Sequence, residues 1–369
     1  MLPNKLTDRE RQVYEQIANN PYISQHDLSQ ILALSRSTVA NVISQLVQKN
    51  ILLGRAYVLN HSRPVLCIGA ANVDRKYHCL ERFDYKTSNP VRSTASAGGV
   101  ARNIAENLGR LGNRPTLITA AGRDADWEII ARASAEYIIM DGVLHLPDRN
   151  TGTYTAVLDE HGEMTMAFAD MAIYDAVLPE EIRRHEKKWK QAECVIADLN
   201  CPQETLAFLL KEAAADHTPV AFITVSIPKM KRLPADISGL TWLMTNVEES
   251  AAHFDIPIQN EDQWKGAVEH WLACGVRYVT VTWGKRGVMV GESGGSIRHY
   301  PAPALDTTVD VTGAGDAFSA AVLHAWLDGS PLSEAVHAGL KSAALCVQTT
   351  ATVHPDLTTH LIKKQEEFL

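Results

Sequence analysis

The segment Asp310-Val311-Thr312-Gly313-Ala314-Gly315-Asp316, followed by Ala317-Phe318-Ser319-Ala320, puts two glycines and an alanine where a loop enters a helix. Backbone N–H groups at such a junction converge on an anion, and the helix adds the positive end of its dipole. A carboxylate among those donors is a poor choice unless it has a task. Asp316 has one if it takes a proton from a hydroxyl that then attacks a phosphoryl group held by the donors. The competing reading is a glycine-rich helix start with a surface aspartate in its first turn. A second segment, Ala97-Gly98-Gly99-Val100-Ala101-Arg102-Asn103-Ile104-Ala105, carries a glycine pair into a helix. Gly98 and Gly99 let a small ligand lie against bare backbone, and Asn103 reaches the same ligand one turn later. Its rival is a plain turn before an amphipathic helix. No G-x-x-x-x-G-K-[ST] occurs anywhere, so the phosphate site is not a P-loop.

These segments need a scaffold, and the pattern from Val65 onward supplies one. Short β-branched runs at 65–70, 116–120, 194–197, 220–225, 242–244 and 278–282 alternate with helical stretches at 100–111, 127–137, 202–214, 264–274 and 315–327. That alternation predicts an α/β fold, a doubly wound and mostly parallel sheet covered on both faces. Residues 75–94 are polar and irregular, and 151–168 alternate like two strands around Asp159-Glu160-His161-Gly162. Together they are expected to form a small antiparallel β lid over the sheet's C-terminal edge, where open α/β sheets bind ligands.

The first sixty residues read as three helices and a ribbon. Thr7-Asp8-Arg9-Glu10 is a capping box, and Leu6, Val13 and Ile17 form the stripe of a helix that Pro21 ends. A second helix, 24–31, turns Leu28, Ile31 and Leu32 inward. Ser35 caps a third, 36–50, with Val39, Val42, Ile43, Leu46 and Val47 at helical spacing. Gly54-Arg55 turns a β-wing within 51–59, and 61–64 reads as a linker. The expected domains are therefore 1–60, then the linker 61–64, then 65–369. His26 is expected to be a solvated helix residue.

Composition bounds the rest. The chain has 369 residues, 46% hydrophobic and 21% charged, enough for one large domain and a small one. Residues 1–20 lack the apolar core of a signal peptide, and no apolar run is long enough to span a bilayer, so a cytoplasmic location is expected. Six cysteines without a C-x-x-C pair imply neither a metal ribbon nor a disulfide framework. The net charge of -8 is uneven: 1–60 carries about +2 and the remainder about -10. The acidic body argues against extended nucleic-acid contact and leaves the first sixty residues free to make it.

The two glycine segments, in this order, resemble the signature pair of the ribokinase-like (PfkB) carbohydrate kinases, and the resemblance runs from about Val65 to His354. It implies an ATP-dependent kinase with Asp316 as general base and Gly313, Ala314 and Gly315 as the anion hole. Asp310 and Thr312 would line a monovalent-cation site for K+, although Val311 stands where many relatives carry Thr. Asn72 and Asp74 resemble the sugar-binding pair after the first strand, with amide and carboxylate suited to vicinal hydroxyls. Gly122-Arg123-Asp124 resembles the family's G-x-D turn. Asn246 and Glu249 resemble its N-x-x-E element, which organises Mg2+ through water and adjoins the ATP; Glu248 is out of register. Thr282, Gly284 and Gly287 resemble its nucleotide loop, with a plain hairpin turn as the alternative.

Softer likenesses at 99–108, Asp170-Met171-Ala172-Ile173, Asp198-Leu199-Asn200 and Val225-Ser226 before Lys229-Met230-Lys231-Arg232 are to pseudouridine kinases. They imply that Asp170 and Asn200 face a nucleoside, while Met171 and Ile173 equally suit a plain core. The implied acceptor is a primary hydroxyl of pseudouridine or a similar ribonucleoside, the alternative a free sugar or sugar phosphate. The N-terminal region resembles the winged helix-turn-helix of bacterial transcription regulators. That implies double-stranded DNA as a partner, met by Arg36, Ser37, Thr38 and Asn41 at the start of the third helix; the alternative is a small helical domain for protein contacts. A charge of +2 attracts phosphates weakly, so a homodimer is expected to carry the affinity. A rival to the enzyme is a regulator whose kinase-like body only senses its ligand, but a pure sensor does not require a base in the anion hole.

Overall fold

The computed structural model describes residues 6–53 and 64–363. The chain divides into two compact units, Met1–Arg63 and Pro64–Leu369.

In the first unit the helices are α1 (Asp8–Asn19), α2 (Gln25–Ile31) and α3 (Arg36–Gln48). The capping box forms: Thr7 N–H donates to Glu10 Oε2 (2.8 Å), and Glu10 N–H donates to Thr7 Oγ1 (3.4 Å). Glu10 also accepts from Lys49 Nζ (2.8 Å), which joins α1 to the end of α3. Val13, Ile17, Leu28, Val39 and Leu46 close a small core. Ile31 and Val47, expected inside, are 56% and 45% exposed, because each lies just off the arc that faces the other helices. The expected wing lies, beyond Leu53, outside the described residues, as does the linker up to Arg63.

The second unit is built on a nine-stranded sheet. Its strands are β1 (Pro64–Ile68), β4 (Arg114–Ala121), β5 (Ile139–His145), β8 (Cys194–Asp198), β9 (Val220–Ile223), β10 (Trp242–Asn246), β11 (Tyr278–Thr282), β12 (Val288–Glu292) and β13 (Ile297–Tyr300). The spatial order is β13-β12-β11-β10-β9-β8-β1-β4-β5. All neighbours are parallel except β11–β12 and β12–β13, which are antiparallel. Strand alternation feeds two cores: Val65 and Cys67 of β1 join one, Leu66 and Ile68 the other. The helices in chain order are α4 (Val100–Arg110), α5 (Ala125–Ser134), α6 (Pro179–Arg184), α7 (Glu186–Gln191), α8 (Gln203–Asp216), α9 (Val247–Phe254), α10 (Glu261–Ala273), α11 (Ala314–Leu327), α12 (Leu332–Cys346) and α13 (Thr359–Ile362). Among the described residues no helix is long and apolar enough to cross a membrane.

The remaining strands, β2 (Asn72–Cys79), β3 (Val91–Gly98), β6 (Thr153–Leu158) and β7 (Met164–Asp170), form a second sheet ordered β3-β2-β6-β7. Residues 75–94 are thus irregular only in part: 75–79 and 91–94 belong to two paired strands, and 80–90 lie between them. Little apolar content marks β3, since Val91 to Ala95 are exposed and need none. Two hairpins, β2–β3 and β6–β7, are antiparallel, but they join through a parallel pair, β2 against β6. The G-x-D turn ties this sheet to α5. Asp124 caps α5 through Trp127 N–H (2.9 Å) and also accepts from Thr151 N–H (2.8 Å) and Thr151 Oγ1 (2.7 Å), just ahead of β6.

The capping box yields a test. Thr7→Ala removes one partner of a reciprocal pair and is expected to cost the first unit about 1 kcal/mol. Amide exchange in the full chain should speed up in α1 and stay unchanged in β1 and β8; unchanged α1 protection would mean the box contributes nothing.

Candidate active site

Asp198, the last residue of β8, is 1% exposed. Its Oδ2 accepts from the N–H groups of Ala70 and Ala101, both at 2.9 Å, and its Oδ1 from Asn200 N–H at 2.7 Å. One carboxylate thus pins the end of β1, the start of α4 and the turn after β8. The approach requires bare backbone: a Cβ on Gly69, whose φ is +144°, would overlap the Asp198 carboxyl group. Gly99, at φ +98°, likewise has no room for a Cβ against the Ala70 carbonyl.

Pinned there, α4 runs through the interior with Ala101 to Leu108 all buried. Its polar residues therefore pair with one another. Arg102 is bonded to Glu106 and donates to Ala97 O (3.2 Å), Ser134 Oγ (3.1 Å) and Asn103 Oδ1 (3.0 Å). Because Arg102 has no acceptor atom, the Asn103 atom facing it must be the oxygen. That leaves the amide nitrogen for Asp316, and Asn103 Nδ2 donates to Asp316 Oδ2 at 2.8 Å. The two glycine segments meet at this bond. Asn103, expected on the substrate, is held between Arg102 and Asp316.

Asp316 stands in the first turn of α11. Gly313 caps that helix at φ +83°, and a Cβ there would overlap the Thr352 carbonyl. The first intrahelical bond runs from Ala317 N–H to Gly313 O (2.9 Å), so the N–H groups of Gly315 and Asp316 precede the ladder. A Cβ on Gly315 would meet nothing within 4 Å, so this glycine keeps space open rather than permitting a contact. The space is a cavity of about 170 Å³ beside α11, lined by Gly315, Asp316, Asn246, Glu249, Thr282 and Thr224 among others. Burial pushes the Asp316 carboxyl up to about 7, with Asp198 and Asp74 adding to the rise and Asn103 and Arg102 opposing it.

The N-x-x-E element faces the same cavity. Asn246 caps α9: its Oδ1 accepts from Glu249 N–H (2.8 Å), and Glu249 Oε2 accepts from Asn246 N–H (3.3 Å). Oε2 also accepts from Thr245 Oγ1 (3.2 Å) and from Thr224 Oγ1. Glu249 is 3% exposed and burial raises its carboxyl group, whereas Glu248 is exposed. Carboxylate and amide oxygens are the hard donors Mg2+ prefers, and they fit it. Among the described residues no group of three or more His, Cys, Asp or Glu side chains could hold a metal ion by itself. The segment after β11 is a hairpin turn into β12, closed by Trp283 N–H to Gly287 O (2.8 Å) and Gly287 N–H to Gly284 O (3.1 Å). Of its three expected nucleotide residues, Thr282 lines the cavity and Gly284 and Gly287 shape the turn.

Asn72 Nδ2 donates to Asp74 Oδ1 (2.7 Å), and Gly98 leaves room for the Asp74 carboxylate, which a Cβ would overlap. Burial raises Asp74. Asp170 is not in the Asp316 cavity. It lines another of about 290 Å³ with Asp124, Asp126, Asn150, Thr151 and Thr153. Asn200 is 3% exposed, its N–H given to Asp198 and its carbonyl accepting from Arg232 Nη1 (2.6 Å). Asp310 and Thr312 do come together, but around an ammonium: Lys76 Nζ bonds Asp310 Oδ2 and donates to Thr312 Oγ1 (3.2 Å). These residues do not fit a free K+. Lys76 and Thr224 escaped the sequence reading because each acts across a stretch of chain that no motif spans, whereas Arg102 stands beside Asn103 in the glycine segment and no role was read for it.

In the first unit, Arg36, Ser37 and Asn41 are exposed and Thr38 is half-buried. Ser35 gathers the hydroxyls of Ser37 (2.9 Å) and Thr38 (2.7 Å). Arg36 Nη2 lies 2.7 Å from His26 Nδ1, so His26 is a partner of the expected DNA contact as well as a solvated residue.

A doubly wound sheet, a four-stranded lid and a carboxylate at a glycine-rich helix start define a class, and sequence comparison agrees with it. Residues 62–359 match the family described as pfkB family carbohydrate kinase, and residues 6–52 match the winged helix-turn-helix DNA-binding family. The chain belongs to the pfkB family and carries an N-terminal winged helix-turn-helix domain. It is 31% identical to pseudouridine kinase of Escherichia coli over 299 residues, covering 80% of this chain and 93% of that one. It is 27% identical to the uncharacterized sugar kinase YeiI of the same organism, across 96% of this chain and 97% of the relative. The ribokinase of Arabidopsis thaliana, solved with ribose and ATP, has the same ribokinase-like fold, with a TM-score of 0.73, 21% identity and coverage of 82% of this chain and all (100%) of that one.

A group raised to about 7 predicts a pH profile. A base acts as the carboxylate, so kcat/KM should rise with pH through about 7 and level off above it. Asn103→Ala deletes a donor that favours the charged form, so the rising limb should move to higher pH. A limb that stays in place would show that Asn103 does not tune Asp316.

Proposed function

We propose that this chain transfers the γ-phosphoryl group of ATP to a primary hydroxyl of a ribonucleoside, pseudouridine or a close analogue. The observation that carries this reading is the Asp316 carboxylate beside the open space at Gly315, with Glu249, Asn246 and Thr282 lining the same cavity. Asn72 and Asp74 would hold ribose hydroxyls and orient the acceptor. Asp316 then removes the proton from the attacking hydroxyl, while the N–H groups of Gly315 and its neighbours Gly313 and Ala314 hold the phosphoryl oxygens. Asn246 and Glu249 would hold Mg2+ through water; when bound, it offsets phosphate charge. Likeness to pseudouridine kinase supports the nucleoside, and likeness to a sugar kinase over nearly the whole chain makes a free sugar or sugar phosphate the second reading. Arg36, Ser37, Thr38 and Asn41 would place the winged helix on double-stranded DNA, with a homodimer presenting two copies.

The direct test is ATP consumption across a panel of nucleosides, sugars and sugar phosphates. Pseudouridine should be turned over most efficiently; turnover of sugars alone would select the second reading. Ligand binding without turnover would identify a sensor. Asp316→Asn keeps size and shape and should lower kcat by about 10²–10⁴-fold with ATP affinity retained; near-normal turnover would sink the assignment of the base. Glu249→Gln should raise the Mg2+ concentration needed for half-maximal rate, and the exposed Glu248→Gln should not. Equal effects of the two would show that the metal lies elsewhere.

A further inference from the structure

We infer that Lys76 is a built-in monovalent cation for the anion-hole loop, so that this chain works without K+. The inference rests on the phosphoryl-transfer reading for its kinetic arm only.

The geometry is a closed triad. Thr312 gives Asp310 Oδ1 both its N–H (3.0 Å) and its hydroxyl hydrogen (2.7 Å). The other carboxylate oxygen, Oδ2, takes Lys76 Nζ, and a lone pair on Thr312 Oγ1 accepts from the same ammonium (3.2 Å). Both Asp310 oxygens are thereby occupied by protein donors, and a free cation would have to displace a tethered one. An ammonium and K+ carry the same charge and seek the same oxygens. The tethered ion also has no association entropy to lose. The side chains of Lys76 and Asp310 are 26% and 22% exposed, so water screens the pair only in part. Asp310 lies below the ordinary carboxyl range: burial pushes it up, but the bonds from Lys76 and Thr312 outweigh that.

Position gives the charge its use. Thr312 is the residue before Gly313, so the triad fixes the loop as it enters α11 and brings the Lys76 ammonium to it. Lys76 comes from β2, two residues after Asp74, and strand alternation puts the two side chains on one face. The strand that carries the acceptor-binding carboxylate therefore also carries the cation. Val311 is 71% exposed, so the Val at this position does not disturb the triad.

The test compares tetramethylammonium, Na+ and K+ chlorides at equal ionic strength, using the full chain. Wild-type turnover should agree within about twofold in all three, because nothing is left for K+ to fill; activation by K+ of about tenfold or more would overturn the inference. Lys76→Met keeps the apolar stem and removes the charge. It should lose about tenfold or more in tetramethylammonium and recover part of that loss in K+; a variant as active as wild type in tetramethylammonium would refute a role for the charge. Two readouts need no turnover: K+ should raise the melting temperature and the calorimetric Mg-ADP affinity of Lys76→Met and leave both unchanged in wild type. If no acceptor is phosphorylated in any salt, the proposed function fails, and these binding arms still decide the fate of Lys76. Should Lys76→Met not fold, the wild-type comparison stands alone, and a K+-induced gain in its Mg-ADP affinity overturns the proposal.

Discussion

The site depends on one buried carboxylate that lines neither of the two cavities. Asp198 accepts three backbone N–H groups from three segments, and two glycines exist so that the chain can come close enough for it to do so. A carboxylate so buried is costly unless its donors are complete, and here they are backbone groups that otherwise lack partners at a strand end and a helix start. The bonds set where α4 begins, and so the depth at which Asn103 meets α11. The same negative charge helps to lift Asp316 toward neutrality. Scaffold and reactivity are thus coupled through a single residue.

A second constraint is the orientation of an amide. Asn103 could turn either end toward Asp316, and only one end donates. Arg102 decides between them, and Arg102 is itself fixed by Glu106, which also binds Arg110 Nη2 at 2.8 Å. The polar interior of α4 therefore acts as a jig. Its polarity is tolerated because nearly every group meets a complementary partner on the same helix, on α5, on β3 or on α11, the buried Asn107 Oδ1 being the exception.

Much of this was legible beforehand where the cause is local. β1, β8 and β11 announce themselves by β-branched runs, and the N-cap signals Thr7 and Ser35 work over three residues. Glycine placement marked both helix starts, and the register of Asn246 with Glu249 singled out the buried carboxylate from its exposed neighbour. What stayed hidden was settled by distant partners. β3 has almost no apolar face to advertise it, because Val91 to Ala95 are exposed on both faces. β12 and β13 sit at an antiparallel edge that the alternation of strand and helix does not foretell. Nothing in the run around Lys76 points to Asp310, since the two lie 234 residues apart in the chain and meet only in the folded domain.

The pairing of β2 bears on how the chain is made. β2 ends at Cys79 and its parallel neighbour β6 begins only at Thr153, with α4, β4, α5 and β5 synthesised in between. On a ribosome the β2–β3 hairpin emerges with one flank bare, and bare flanks invite pairing with other nascent chains. Along β2 stand Asp74, Arg75, Lys76 and His78, a charged composition that discourages such templating. The lysine that ends beside the anion-hole loop thus spends its first seconds as a guard on an unfinished sheet.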